Sequence, residues 1–553
     1  SFRQTTSRSD DPQLHTHAVI SSKVRTDDER WLALDARYLK QHQRQIGGLY
    51  QSVLRAELSH ELGVAWGPIV EGQAEIAGVP VELRELLSKR SEQIEVAIQA
   101  KVAEFRDRQG RGPNQWELGA LKREAAGDTR GPKSGNGVAE LVTRWAAEAA
   151  TIGWTAPDLA TAVATAAREH GPEPVTVNLD GIIAALSTKG STWNRPQVMS
   201  ALCDVARPQA QLTGQRWAEL IEDVTDRIVG GCLELDPTDA AAPRRRSDGR
   251  SMWLEPISAH ITTDAIVREE ELVLTWALDA QAAEPTESTT VDPAGLDITQ
   301  AAAAAAAAGD DRLVMIVGPA GAGKTSLLRA AADDLARRGH AVVGFAPSAR
   351  AARQLEHDTG VRSDTLAKLL HEWTRPDRGP LAQYAPGPGA TLIVDEAGMA
   401  STPDLAQLVT LAERQHWRLV LVGDFAQLQA VGRGGLFAEL CATGRVHQLE
   451  RIYRFREPWQ AAASLLLRDG DPSGLDDYIA HGRVVAGTFD EHLATMTDRW
   501  FQSDARGVSI ALVASANDHV DQINAAIQHA RITRGELDPD QMAPISTGEH
   551  AAV

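Results

Sequence analysis

Four largely apolar runs, Leu313–Val317, Ala341–Phe345, Thr391–Val394 and Arg418–Val422, recur through the C-terminal half, each followed by a turn and a stretch with helical spacing. Continuous apolar runs of this length suit strands buried on both faces, and the helical stretches between them are the crossovers that a parallel sheet needs. The pattern predicts an α/β fold whose ligands gather at the carboxyl ends of the strands. A further strand and helix are predicted over Val508–Ile527.

Upstream the periodicity is helical. From Ile94 to about Asp236 amphipathic stretches are separated by Gly/Pro-rich breaks at 110–113, 127–137 and 171–174, and Ser191–Arg207 sets Val198, Leu202 and Val205 on one helical face. The segment Ile257–Gln281 predicts a helix capped near Thr262 or Thr263 with acidic residues early, where the helix dipole favours them. A Pro/Ser/Thr-rich linker follows at 282–296, and Gln300 opens a short helix before the first apolar run. Near the other end, His15 and His17 stand two apart before an apolar alternation, so on a strand both imidazoles share one face, a geometry that suits a divalent metal and equally an ordinary half-exposed strand.

Composition narrows the classes. With 553 residues the chain has room for roughly three or four domains. Its 43% hydrophobic and 24% charged content is that of a globular protein. A formal charge of -19, from 56 Lys+Arg against 75 Asp+Glu, excludes a uniformly basic nucleic-acid coat but leaves room for a local basic groove. Arg244-Arg245-Arg246 is such a local cluster, and reads first as a solvated turn. Cys203, Cys232 and Cys441 match no metal spacing and fit unpaired thiols in a reducing compartment. The longest small-apolar run, Ala301–Ala308, is too short to span a bilayer, and Ser1 opens a charged polar stretch rather than a leader. The expectation is a soluble cytoplasmic chain without membrane insertion, beginning inside a longer reading frame.

The first apolar run leads into Gly318-Pro-Ala-Gly-Ala-Gly-Lys-Thr325, which satisfies the P-loop pattern at every required position. Gly318, Gly321 and Gly323 let backbone N–H groups turn onto phosphate oxygens without an obstructing Cβ. Lys324 then reaches the β- and γ-phosphates, Thr325 offers a hydroxyl to Mg²⁺, and the helix expected to open at Ser326 presents its positive end. Leu392-Ile393-Val394-Asp395-Glu396 is a buried strand that delivers Asp395 to the Mg²⁺ sphere and Glu396 beside the attacking water. Gln427, in Gly423-Asp-Phe-Ala-Gln-Leu428, is placed to sense the γ-phosphate.

GPAGAGKT, DEAGM (Asp395–Met399) and the GDxxQL spacing together resemble the superfamily 1B DNA helicases, the RecD-like and relaxase-associated group. GFAPSARAARQL (Gly344–Leu355) and SDTLAKLL (Ser363–Leu370) resemble segments that lie on single-stranded DNA in that group, where Ser348 and Thr365 would hold phosphates without reading bases. Arg350 and Arg353 either add charge there or form a solvated helix face. In many such helicases a glutamine placed like Gln300 contacts adenine, which favours ATP over GTP; a surface glutamine is the other reading. Arg454, in LERIYRFR, falls where the family carries the arginine that reaches the γ-phosphate across the interlobe cleft. Trp459 reads as a packing residue.

The N-terminal string DPQLHTHAVI with RWLALDARYL, YQSVLRAEL and LSKRSEQIE resembles the C-terminal part of the nicking domain in MobF-type conjugative relaxase-helicases of the TrwC/TraI kind. That resemblance implies a metal held by a histidine triad, with His15 and His17 as two ligands and Gln4 at the third, a poorer donor than imidazole. The family's nucleophilic tyrosines belong upstream; Tyr38 and Tyr50 do not match them, so strand cleavage is not assigned. The implied architecture is residues 1–100 as the α+β remnant of a relaxase domain, 101–256 as a helical connector, 257–447 as a first RecA-like P-loop lobe and 448–553 as the start of a second. ATP, Mg²⁺ and a divalent metal at the relaxase remnant are the implied cofactors, and single-stranded DNA, the relaxosome and conjugative transfer proteins the implied partners. A RecD-like repair helicase and a non-catalytic DNA-binding product are the alternatives.

Overall fold

The computed structural model describes every residue except 1, 8, 35, 37, 38, 41, 71, 110–112, 114, 130–136, 170–177, 206–211, 236–242, 245–258, 376, 429, 431, 539–541, 545–549 and 553. Tyr38, Arg245, Arg246 and most of the three expected Gly/Pro breaks lie outside the described residues.

Strands β1 (Phe2–Thr6) and β2 (Pro12–His17) form an antiparallel pair, as do β3 (Lys23–Arg25) and β4 (Trp31–Ala33). The helix Gln43–Leu62 follows, and it packs on the helices of the connector as well as on its own neighbours Trp66 and Gly72. Its Ala56 lies in one core with Ile182, Val198, Leu202, Trp217 and Ile221 of the connector helices. Arg55, 1% exposed, donates to the Gly72 and Cys203 carbonyls, and Trp217 Nε1 donates to Ser52 Oγ at 2.9 Å. Strands β5 (Leu233–Glu234) and β6 (Ile261–Thr262) pair beside this core. The helix Asp264–Ala280, capped by Thr263 as expected, then joins it to the next: Ile266 belongs to the connector core and Val273 and Trp276 to the first core of the sheet.

That sheet has six strands, β7 (Leu313–Val317), β8 (Val342–Ala346), β9 (Ser363–Thr365), β10 (Thr391–Val394), β11 (Arg418–Gly423) and β12 (Val446–Gln448), in the order β12-β7-β11-β10-β8-β9 and parallel throughout. Alternation along each strand divides its side chains between two layers. Leu313, Met315, Val317, Leu392, Val394, Leu419 and Leu421 face a core closed by the helices Asp264–Ala280, Leu366–Thr374, Thr402–Gln415 and Leu436–Thr443. Val314, Ile316, Ile393, Val420 and Val422 face the other, closed by the helices Ile298–Ala307 and Lys324–Arg337. Burial on both faces explains why the central strands are apolar runs. The edge strands β9 and β12, Ser-Asp-Thr and Val-His-Gln, are three residues each and mostly polar, and their periodicity is too brief to predict.

Leu449, two residues past the expected boundary at 447, packs in the second core of this sheet. One expectation needs correction. The segment from Val508 forms no strand, with Val513 82% exposed, nor does any strand form among the described residues 449–538; an apolar run becomes a strand only where a neighbour accepts its backbone hydrogen bonds. The helix predicted after it is present at Asn517–Thr533.

Candidate functional site

Each P-loop glycine has its own cause. Gly321 and Gly323 adopt φ of +85° and +77°, where a Cβ is strained. A Cβ on Gly318 would lie 2.8 Å from Leu449 Cδ1, one on Gly321 2.4 Å from Arg454 Cβ, and one on Gly323 2.2 Å from Gln300 Nε2. The helix opens at Lys324, two residues before the expected Ser326, with Gly323 as its cap residue. Lys324 Nζ donates back to the Gly318 carbonyl at 3.1 Å, so the ammonium lies across the loop it is to serve. A cavity of about 560 Å³ borders this helix, lined by Thr290, Asp292, Leu296, Ser326, Arg329 and Arg337 among others.

The neighbouring strand ends are joined to the loop. Gly318 N donates to the Gly423 carbonyl at 3.1 Å, binding the end of β7 to that of β11. A Cβ on Gly398 would lie 3.1 Å from the Asp424 carbonyl oxygen, so the turn after β10 presses on the turn after β11. Asp395 stands at the end of β10, where burial and the adjacent Glu396 carboxylate push its carboxyl up to about 6 while Lys324 pulls it down. This is an acid short of positive charge, and with the Thr325 hydroxyl it is an oxygen donor set that fits Mg²⁺. Glu396, at φ +53°, occupies the left-handed region that costs a non-glycine residue on the order of 1 kcal/mol or more.

Arg454 reaches the site from the other side. Tyr453 N donates to the Gly321 carbonyl at 2.8 Å, and the Tyr453 hydroxyl donates to Asp297 Oδ2 at 2.6 Å. Asp297 caps the helix Ile298–Ala307 in a reciprocal box with Gln300, whose Nε2 also donates to the Ala322 carbonyl at 2.8 Å. Gln300 is 3% exposed, which overturns its reading as a surface residue. Burial raises the Asp297 carboxyl, but the hydrogen bonds from Tyr453, Gln300 and Thr299 outweigh it and hold the group at about 2. Asp297 and Tyr453 were not among the expected site residues; the Asp297-x-x-Gln300 spacing, a capping-box signature, is the signal that pointed to the first.

Asp424, 3% exposed, accepts from Arg468 Nη2 at 2.7 Å and from Arg468 Nε at 3.2 Å, and accepts from Gln427 Nε2 at 3.2 Å. Burial works against the charged carboxyl, yet Arg468 holds it below the usual carboxylate range. The Gln427 amide is therefore oriented by Asp424, in the turn after β11.

The hydroxyls expected on DNA phosphates are both helix caps. Ser348 Oγ accepts from Ala351 N at 3.1 Å and Thr365 Oγ1 accepts from Lys368 N at 3.2 Å, at the carboxyl ends of adjacent strands β8 and β9. A cap that accepts keeps its own O–H to donate. Trp459 stacks on His481, with ring centroids 3.8 Å apart, so a packing partner covers one ring face.

At the N-terminal end Gln4 pairs with His15 across β1 and β2, and the His15 and His17 rings lie 4.9 Å apart. His17 Nε2 meets Gln4 Oε1 at 3.2 Å and His15 Nδ1 meets the Gln13 carbonyl at 2.8 Å. The three expected residues are thus adjacent, but the set fits a metal only in part, since the third donor is a neutral amide. Among the described residues no group of three or more His, Cys, Asp and Glu is placed to hold a metal ion, and no helix is long and apolar enough to cross a membrane.

Residues 1–152 match the TrwC relaxase family and residues 295–488 match an AAA domain family. The conjugal transfer protein TraA of Rhizobium radiobacter is 31% identical over 307 residues, 53% of this chain and 27% of that protein. The ATP-dependent RecD2 DNA helicase of Deinococcus radiodurans is 33% identical over 164 residues, 29% of this chain and 22% of that protein. A solved structure of the conjugative relaxase TrwC in complex with mutant oriT DNA shares 34% identity, covering 28% of this chain and 51% of that one, with a TM-score of 0.23. The chain spans about a quarter of the length of the conjugal transfer relatives it matches. It joins a TrwC relaxase region to a helicase-type AAA domain, with homologues among the conjugal transfer TraA and TraI proteins and the RecD helicases.

Proposed function

We propose that this chain is the ATP-hydrolysing helicase portion of a conjugative relaxase, coupling nucleotide turnover to movement along single-stranded DNA in the 5′ to 3′ sense. The observation that carries the reading is the convergence of the loop Gly318–Thr325, Asp395, Glu396, Gln427 and Arg454 at the carboxyl edge of one parallel sheet.

Lys324 binds the β- and γ-phosphates, and Ser326, with the helix end behind it, binds the phosphate nearest the cavity. Gln300 fixes the loop from beneath and contacts adenine. Thr325 and Asp395 hold Mg²⁺, which supplies positive charge against the phosphates. Glu396 orients water, Arg454 stabilises the charge that develops on the transferring group, and Gln427 senses its departure. Ser348 and Thr365, at two adjacent helix N-termini, donate to phosphates of a DNA strand and so bind it without reading its sequence. His15, His17 and Gln4 form a divalent-metal site of the relaxase type. The relaxosome and other transfer proteins are the partners, and the cytoplasm is the place of action. The match at residues 1–152 favours this reading over a RecD-like repair helicase, which has no need of a nicking domain.

ATP hydrolysis measured with and without single-stranded DNA tests the proposal. Stimulation by the strand, abolished by Lys324→Ala, is expected; basal turnover indifferent to DNA would leave instead a product that keeps an ATP pocket but neither cuts nor unwinds DNA.

A further inference from the structure

We infer that Arg468 is a positioning residue that sets the orientation of Gln427 through Asp424, an inference that rests on the ATPase reading above. Asp424 closes β11 with its side chain almost fully buried, and a buried carboxylate is tolerated only when charge and hydrogen bonds surround it. Arg468 supplies both: Nε contacts both carboxylate oxygens at 3.2 Å, Nη2 donates to Oδ1 at 2.7 Å, and the guanidinium stands 5.5 Å from the Phe425 ring centroid. The same carboxylate accepts from Ala426 N at 3.1 Å and Gln427 Nε2 at 3.2 Å. With Nε2 committed to Asp424, the orientation of the Gln427 amide is fixed and its Oε1 is left to act.

The placement of Arg468 gives this contact a direction. It ends the helix Pro458–Arg468, which starts four residues after Arg454, and Arg454 lies against Gly321 of the phosphate loop. A displacement of the Arg454 segment is therefore carried along one helix to the carboxylate that holds Gln427. A planar guanidinium can span two carboxylate oxygens, whereas an ammonium supplies charge without that fork.

The test compares the 553-residue chain with Arg468→Met, Arg468→Lys, Gln427→Ala and the double variant Arg468→Met/Gln427→Ala. Two quantities are read: kcat and KM for Mg-ATP, and the ratio of affinities for a non-hydrolysable Mg-ATP analogue and Mg-ADP. Each single variant is expected to lower kcat and the affinity ratio by about tenfold with the affinity for Mg-ADP little changed, and the double variant to fall no lower than the worse single. Arg468→Lys is expected to recover part of the loss. Multiplicative losses in the double variant, or unchanged kcat and affinity ratio in Arg468→Met, would overturn the assignment. If Arg468→Met does not fold, the same pattern is read from Asp424→Asn in its place. A wild-type chain that binds but does not turn over Mg-ATP would refute the ATPase reading, while the affinity ratio still decides the role of Arg468.

Discussion

At the residue scale the site turns on two carboxylates driven in opposite directions. Asp395, pushed up to about 6 by burial and by Glu396, favours its neutral form, so its contribution to stability is present below the ordinary value of 3.8 and lost as pH rises through about 6. Mg²⁺ binding has the opposite sign because it needs the carboxylate. Apparent Mg²⁺ affinity, measured by calorimetry in the presence of ADP, should fall about tenfold per pH unit below 6 and level off above it. Asp297, held at about 2, contributes stability above 3.8 that is lost as pH falls toward 2. Tyr453→Phe removes the 2.6 Å hydrogen bond, and a carbon-detected NMR titration should then find the Asp297 carboxyl moved up toward 3.8.

At the element scale the turn after β11 touches two separate parts of the molecule. Its first part holds Gln427; its later part lies on the connector, where a Cβ on Gly432, at φ +95°, would meet the Thr188 carbonyl oxygen at 2.8 Å, and where Arg433 forms a salt bridge to Glu269. Gly432→Ala should destabilise this contact by about 1–3 kcal/mol, seen as faster hydrogen exchange in the turn and in the helix Leu179–Lys189. The strand-turn-helix pattern and the P-loop were legible because each is a local arrangement of a few adjacent residues. The contact of Gly432 with Thr188 was not, since nothing local in a Gly-Arg-Gly turn names its partner.

At the scale of the whole molecule, two bodies share the helix Asp264–Ala280: a connector core that includes the helix Gln43–Leu62, and the six-stranded sheet. Trp217→Ala should cost the connector core about 3–5 kcal/mol, for a large buried ring and its bond to Ser52 are both lost. Hydrogen exchange should then rise in both Gln43–Leu62 and Gly214–Gly230 while β7, β10 and β11 stay protected; acceleration in one helix alone would argue that the two do not form one unit.

The sequence by itself determined the parallel α/β sheet, the glycine-rich turn at Gly318–Thr325, the place of Asp395 and Glu396 after a buried strand, and the shared face of His15 and His17, because strand burial and tight glycine turns each impose a short pattern on neighbouring residues. Tertiary structure decided the rest: the burial of Gln300, the bond from Tyr453 to Asp297, the pairing of Arg468 with Asp424, the union of the helix Gln43–Leu62 with the connector, and the absence of a strand at Val508. Each of these depends on which distant segment supplies the opposing donor, acceptor or apolar face, and packing alone selects that partner.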